Sequence, residues 1–441
     1  MDKVINEEDI KKYHKKLVNL PHYKSLENSV INNGIKKSIE SQKVIPDTYP
    51  VYSNSMDGGK VTNQKKSGRC WDFATMNTMR FEISKKLNMS KDFELSQNYI
   101  SFWDRLEKAN FFYECILKTA DRSLDDRELS YYLQLPDDDG GQWDNAAALI
   151  EKYGVVPKYV MPETYNSSNT NEFTNLIHNK LHRDASILRK AIKDKMDDKA
   201  IDDIKDEMMS ENYRICVMAF GKPVDKFDFE YLDNDKKYHV DRNLTPKEFY
   251  NKYVGWNLND YICLTYDSQS SKKYNQLYTL PGENTVVGGH PMTLLNVDHE
   301  QFKDAAIKQL QNGEPVWFGN DVLADSDRQK GYLMYDLYKR EEFFDIDLSM
   351  TQGERFDYQQ AQMSHAMTLL GVDIVDDKPT KWKVENSWGD KVGDKGYFMA
   401  DDGWFNNYVY QVIVKKDYLN SSAKEALTKK PIELPIWDVL H

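Results

Sequence analysis

The hydrophobic period of this chain changes once along its length, and that change restricts the folds open to it. In the first half apolar residues recur at three- and four-residue steps; later they fall in short runs bounded by glycine and aspartate. From 70 to 87, Phe73, Met76, Arg80, Ile83 and Leu87 share one stripe, with Met79 beside it. This predicts an amphipathic helix that starts between Gly68 and Cys70. Further helices are expected over 7–20, 23–39, 97–120 and 144–153, the last entered from Asp139-Gly140-Gly141 and closed at Gly154. Residues 170–212, dense in Lys and Asp with intermittent Leu, Ile and Met, read as an exposed helical insertion. From Tyr213 the pattern turns strand-like, at Ile215 and Val217, then over 261–264, 316–318, 367–372, 381–385 and 397–399. Residues 1–50, polar and ending at Pro46 and Pro50, read as an arm that packs on something else. The order is helical part, helical insertion, antiparallel β part: an α+β chain.

A length of 441 residues supports two or three core-building units, and 40% hydrophobic with 12% aromatic residues excludes a disordered chain. The longest apolar runs fall short of the roughly 20 residues a membrane helix needs. The N-terminus alternates charge with apolar residues and shows no export h-region. Four cysteines without a Cys-x-x-Cys pair do not form a disulfide framework in a chain this long. Together these point to a cytoplasmic protein. The net charge is −12, with 59 basic residues scattered among 71 acidic ones, which argues against nucleic acid as the main ligand.

One run carries chemistry: Gln64-Lys-Lys-Ser-Gly-Arg-Cys70-Trp-Asp-Phe-Ala74. A cysteine in the first turn of a helix meets unpaired backbone N–H groups and the positive end of the helix dipole. Both favour thiolate over thiol and make the sulfur an attacking group. Gly68 lets a peptide backbone lie alongside, and the Gln64 amide can converge with the Cys70 N–H on a developing oxyanion. Taken alone, Cys70 reads equally well as a small buried hydrophobe.

A thiolate peptidase also needs an imidazole later in the chain, oriented by a third group. Of nine histidines, only His365 opens a strand-like run, and a second short strand, Trp382-Lys-Val384-Glu-Asn386-Ser-Trp388-Gly389, follows closely. Trp382, Val384 and Asn386 share one face by period two, so two neighbouring strands can set Asn386 beside His365. The amide would then fix the ring tautomer and present the other nitrogen to sulfur. An amide instead of a carboxylate suits a resting thiolate–imidazolium pair. His178 and His182 share a helix face, yet no third ligand with metal spacing follows, and no metal is expected. Cys216 and Cys263 lie in apolar strand-like runs and read as core.

The Cys70 run resembles the active-site segment of the papain superfamily, more closely that of the bleomycin hydrolase and bacterial aminopeptidase C family. The His365 and Asn386 segments follow in that family's order. The resemblance implies Cys70 as nucleophile, His365 as general base, Asn386 as its orienting group, Gln64 in the oxyanion hole, Trp388 shielding the His–Asn hydrogen bond, and no cofactor. Asp139-Gly140-Gly141-Gln142-Trp143-Asp144 is similar to the family's glycine-containing cleft wall, which makes Gly68, Gly140 and Gly141 substrate-binding positions. The implied fold is papain-like: an N-terminal arm (1–50), a helical catalytic domain carrying Cys70 (51–170), a largely helical insertion (171–285), and a β-rich, barrel-like domain carrying His365 and Asn386 (286–441). The implied activity is hydrolysis of small peptides by an aminopeptidase, and the implied assembly is a homohexamer enclosing the active sites.

Leu434-Pro-Ile-Trp437-Asp438 matches the approach to the tail that family aminopeptidases lay in their cleft, with His441 expected to carry a carboxylate to the substrate's α-ammonium. The run then ends Val439-Leu440-His441 instead of in the longer Pro-Met-Gly-Ala-Leu-Ala type. An endopeptidase on the same scaffold is therefore the alternative reading. A non-catalytic or nucleic-acid-binding relative is a third, opposed by the intact quartet of residues and by the acidic charge.

Overall fold

Helical periodicity becomes helix in the computed structural model, which describes residues 2–44 and 49–440. The first half forms Glu7–Leu17, Tyr23–Asn33, Ile35–Ile39, Cys70–Lys86, Gln97–Lys118 and Trp143–Tyr153. The stretch expected as one helix from 23 breaks at Gly34, whose φ of 77° is a left-handed conformation open mainly to glycine.

The Cys70–Lys86 helix departs from the amphipathic expectation. Every residue from Trp71 to Arg80 is buried, because the helix is wedged between two layers. Helices Gln97–Lys118 and Trp143–Tyr153 pack on one side, and strand His365–Val375 packs on the other. The sheet meets it with specific partners: the Trp317 indole N–H donates to the Trp71 carbonyl at 3.1 Å, Thr368 Oγ1 donates to the Ala74 carbonyl at 3.3 Å, and Arg80 pairs with buried Glu385, whereas the buried Asp72 carboxylate has no hydrogen-bond partner among the described residues. A helix sheathed in this way resists displacement, since burying an Arg without its carboxylate would cost several kcal/mol, roughly 3–5.

Ile215 and Val217 are not in a strand. They lie in the last turns of helix Asp198–Phe220, on the flanks of a stripe in which Asn212, Cys216 and Phe220 are buried at four-residue steps. That stripe packs on Gln97–Lys118, and helical packing outweighs the β preference of two branched side chains. Cys216 is thus core, as expected, but in a helix. The helical insertion, Asn171–Lys193 with Asp198–Phe220, passes into a hairpin of Phe227–Leu232 and Tyr238–Leu244. Two later strands that the expected 171–285 insertion took in, Tyr261–Thr265 and Gln276–Thr279, belong to the main sheet.

Among the described residues that sheet has twelve strands. At its centre His365–Val375 lies antiparallel between Val316–Asn320, with His365 opposite Asn320, and Lys378–Glu385, with Thr368 opposite Glu385. The sheet is mixed: Tyr261–Thr265 with Thr293–Asn296, Tyr397–Asp401 with Tyr332–Leu333, and Ile432–Glu433 with Gln276–Thr279 pair in parallel. One apolar core gathers the helices around Trp71, Tyr113 and Phe229; a second fills the sheet around Trp382, Trp404 and Phe405. Among the described residues, no helix is long and apolar enough to cross a membrane.

Candidate active site

The start of the Cys70–Lys86 helix is fixed by the loop before it. The Arg69 side chain, almost fully buried, donates to Glu163 Oε2 at 2.7 Å and to the Ser167 carbonyl at 2.5 Å. The Gly68 N–H donates to Asp139 Oδ2 at 2.6 Å, an oxygen that also accepts from Thr170 Oγ1 at 2.5 Å. A Cβ on Gly68 would strike the Asp139 carboxylate, so close approach within the protein itself requires glycine here. These bonds set Cys70 on the rim of a cavity of about 580 Å³ that it shares with Gly68, Gly140, Gly141, Gln142 and His365. Cys70 is partly exposed; Cys115, Cys216 and Cys263 are buried.

The opposite wall comes from the sheet. His365 opens its strand, and its Nε2 lies 2.8 Å from Asn386 Oδ1, just past the end of the antiparallel neighbour. With Nε2 engaged, Nδ1 is the ring nitrogen left for sulfur. Asn386 is fully buried, and its Oδ1 also accepts from the Ser387 N–H at 2.7 Å. The Trp388 ring covers the imidazole at 4.8 Å between ring centres, and the Arg328 guanidinium lies over that indole at 4.9 Å. Gln64 is locked beside this segment: Nε2 donates to the Ser67 carbonyl at 2.7 Å and Oε1 accepts from Ser387 Oγ at 2.6 Å. One hydrogen of that amide takes no part in these two bonds.

Electrostatics runs against one expectation. The N–H groups of Ala366, Trp71 and Cys70 itself pull the thiol pKa down, as a helix start should, but burial outweighs them and pushes it up to about 11. Burial likewise pulls His365 down to about 4, with the Arg328 charge adding and the Asn386 hydrogen bond opposing. Each charge alone is therefore disfavoured in the empty cleft. Moving a proton from sulfur to ring leaves the net charge unchanged and sets opposite charges side by side, so the ion pair is reached as a unit.

The cleft wall holds Gly140 and Gly141, which serve different ends. A Cβ on Gly141 would lie 2.7 Å from the Trp71 ring, so its missing side chain makes room for that tryptophan. The atoms nearest to a Cβ on Gly140 belong to the Asp138 carboxylate, at an ordinary contact distance of 3.4 Å, and Gly140 lines the cavity. The approach to the tail reaches the same wall: the Gln142 Nε2 donates to the Leu440 carbonyl at 3.0 Å. His441 lies outside the described residues. His178 and His182 each place Nε2 on a backbone carbonyl, of Asp137 at 2.6 Å and Leu133 at 2.7 Å.

Asp139 and Arg69 were not singled out by the sequence, although they hold the loop that precedes Cys70. The only signal was the run Asp137-Asp138-Asp139 before the glycines, and nothing in it marks which carboxylate turns inward.

The model of the Peptidase C1-like family matches residues 4–441. Aminopeptidase C of Lactobacillus helveticus is 42% identical over 441 residues, covering 99% of this chain and 98% of that protein. Aminopeptidase E of the same organism is 46% identical over 422 residues, 95% of each. The crystal structure of PepW from Lactobacillus rhamnosis HN001 superposes with a TM-score of 0.98 at 50% identity, covering 100% of this chain and 99% of that one. With its sheet, helices and sequence matched from one end to the other, the chain belongs to the Peptidase C1-like family.

Proposed function

We infer that the chain is a cysteine aminopeptidase of the aminopeptidase C kind, removing N-terminal residues from small peptides through an acyl-enzyme. Relatives named as aminopeptidases at 42–46% identity over most of the chain support the reaction class, and the endopeptidase alternative is not favoured. The observation that carries the assignment of residues is the 2.8 Å contact of His365 with Asn386 across a cavity whose other wall presents Cys70.

In this reading Cys70 Sγ passes its proton to His365 Nδ1 and attacks the peptide carbonyl carbon. The Cys70 N–H and the unengaged Gln64 amide hydrogen take the oxyanion. Imidazolium then gives the proton to the leaving nitrogen as the C–N bond breaks, leaving a thioester. Water, deprotonated by His365, attacks the thioester, releases the amino acid with a free carboxylate and restores the thiol. Asn386 fixes the tautomer throughout, and Trp388 keeps water off its hydrogen bond. Gly140 offers the substrate backbone an open wall.

The same reading includes self-association. Helix Glu7–Leu17 buries none of its residues and turns Ile10, Tyr13 and Leu17 to solvent, an apolar face suited to a second copy. A homohexamer in the cytoplasm is the assembly and place proposed, the four unbridged cysteines fitting a reducing compartment. Limited iodoacetamide labelling at about pH 6 tests the residue assignment: Cys70 should be modified first, with activity lost in proportion. Equal labelling of Cys115 with activity retained would sink it.

A further inference from the structure

Residues 136–141 line the cavity without regular structure, and among the described residues none of their backbone groups bonds to another backbone group. Side chains hold this wall instead. The Asp137 carbonyl lies 2.6 Å from His178 Nε2, and the Asp139 carbonyl accepts from the Trp71 indole N–H at 2.9 Å. Lys108 takes two: its Nζ donates to the carbonyls of Asp138 at 3.0 Å and Gly140 at 2.5 Å. The third hydrogen goes to Asp104 Oδ2 at 2.9 Å, one turn back on helix Gln97–Lys118. The same Nζ stands 3.8 Å from the Asp138 carboxylate and 5.6 Å from the centre of the Trp71 ring. The Lys108 side chain is 8% exposed and that of Asp104 3%, so water offers neither a ready substitute.

We propose that Lys108 is a positioning residue that fixes the shape of this wall and, through it, the affinity for peptide. It acts through the backbone of residues 138–140, not on the reacting atoms. A loop with no backbone ladder of its own has many conformations of similar energy, and a peptide that binds only one of them must order the rest. Lys108 removes that penalty before a peptide arrives. Its three hydrogens have three acceptors, so a shift of Asp138 or Gly140 leaves a carbonyl and a buried ammonium unpaired. Trp71 extends the tie to the helix that carries Cys70, since its indole holds Asp139 and its ring lies where any Cβ on Gly141 would fall. The wall therefore keeps its distance from Cys70 with the cleft empty or filled. The proposal rests on the reaction proposed above and names what prepares that site for its substrate.

The test measures kcat and KM for a peptide with a free α-amine, and the rate at which iodoacetamide labels Cys70. It compares the unmodified protein with Lys108→Met and with the double variant Lys108→Met, Asp104→Asn. Methionine keeps the apolar stem and donates nothing. The double variant also removes the Asp104 charge, so a single variant that fails to fold around an unpaired carboxylate does not end the test. In the folded variant KM should rise roughly tenfold or more while kcat stays within about threefold, the pattern of lost binding without lost chemistry. Labelling of Cys70 should stay within about twofold, because iodoacetamide is too small to need the wall. An unchanged KM in the folded double variant overturns the proposal. So does a joint fall in kcat and labelling at unchanged KM, which would make Lys108 a support of Cys70 alone. An unmodified protein that turns over neither the peptide nor its N-acetylated twin overturns the proposed reaction and this proposal with it. Cleavage of the twin alone overturns only the aminopeptidase reading, and the same KM comparison on the twin then decides the role of Lys108.

Discussion

His365 and Asn386 meet through a single hydrogen bond of 2.8 Å, and their roles differ in kind. On the reading proposed above, the imidazole moves protons and the amide only aims it. His365→Ala should therefore abolish turnover, by about 10²–10⁴-fold or more, while Asn386→Ala costs less and leaves measurable kcat. Equal small losses in both would place the base elsewhere. The pH dependence follows from burial. The neutral pair and the ion pair bind the same number of protons, so pH does not shift one against the other. On the acid side activity falls when a further proton is forced onto the pair, and that requires pH to drop through the value of His365, held down by burial at about 4. The acid limb of Cys70 inactivation by iodoacetamide should lie at or below that value; a limb at about 6.5, the ordinary imidazole range, would contradict the burial argument. His365 and Asn386 were legible in the sequence because period two and a short separation suffice to place them. Asp139 was not, since its role depends on which of three adjacent carboxylates the loop turns toward Gly68.

At the scale of elements, the start of the Cys70–Lys86 helix was legible and its surroundings were not. A stripe of apolar residues predicts one buried face, whereas Trp71 to Arg80 are buried on all sides because a helix layer and a sheet enclose them. Thr75 lies off the stripe yet is buried, its hydroxyl donating to the Trp71 carbonyl one turn back, and Arg80, on the stripe, is buried against Glu385. Ile215 and Val217 show the converse error, since two branched residues at i, i+2 are compatible with a strand or a helix flank, and only the four-residue spacing of Asn212, Cys216 and Phe220 decides. The two cleft glycines give a test at this scale. Gly141→Ala should destabilise the fold by about 1–3 kcal/mol in denaturant unfolding, by driving a methyl into the Trp71 ring. Gly140→Ala should leave stability nearly unchanged and raise KM, because its methyl enters the cavity. The reverse pattern would mean that the wall is packed differently.

Over the whole molecule, helices before strands signalled an α+β architecture, and the resemblance of three short segments supplied its kind. The strand order was out of reach: Val409–Lys415 lies between Tyr261–Thr265 and Val316–Asn320, pairings set by packing between segments more than eighty residues apart. Helix Glu7–Leu17 leaves Ile10, Tyr13 and Leu17 exposed, and on the proposed self-association light scattering at micromolar concentration should show a species several times 51.6 kDa; that mass alone would refute it. The proposed aminopeptidase reaction is read most directly from one observable, the products of a single peptide sequence with its α-amine free or acetylated, mapped by mass spectrometry. The account predicts residues leaving one at a time from the free N-terminus while the acetylated peptide stays intact. Internal fragments from both peptides at similar rates would contradict it.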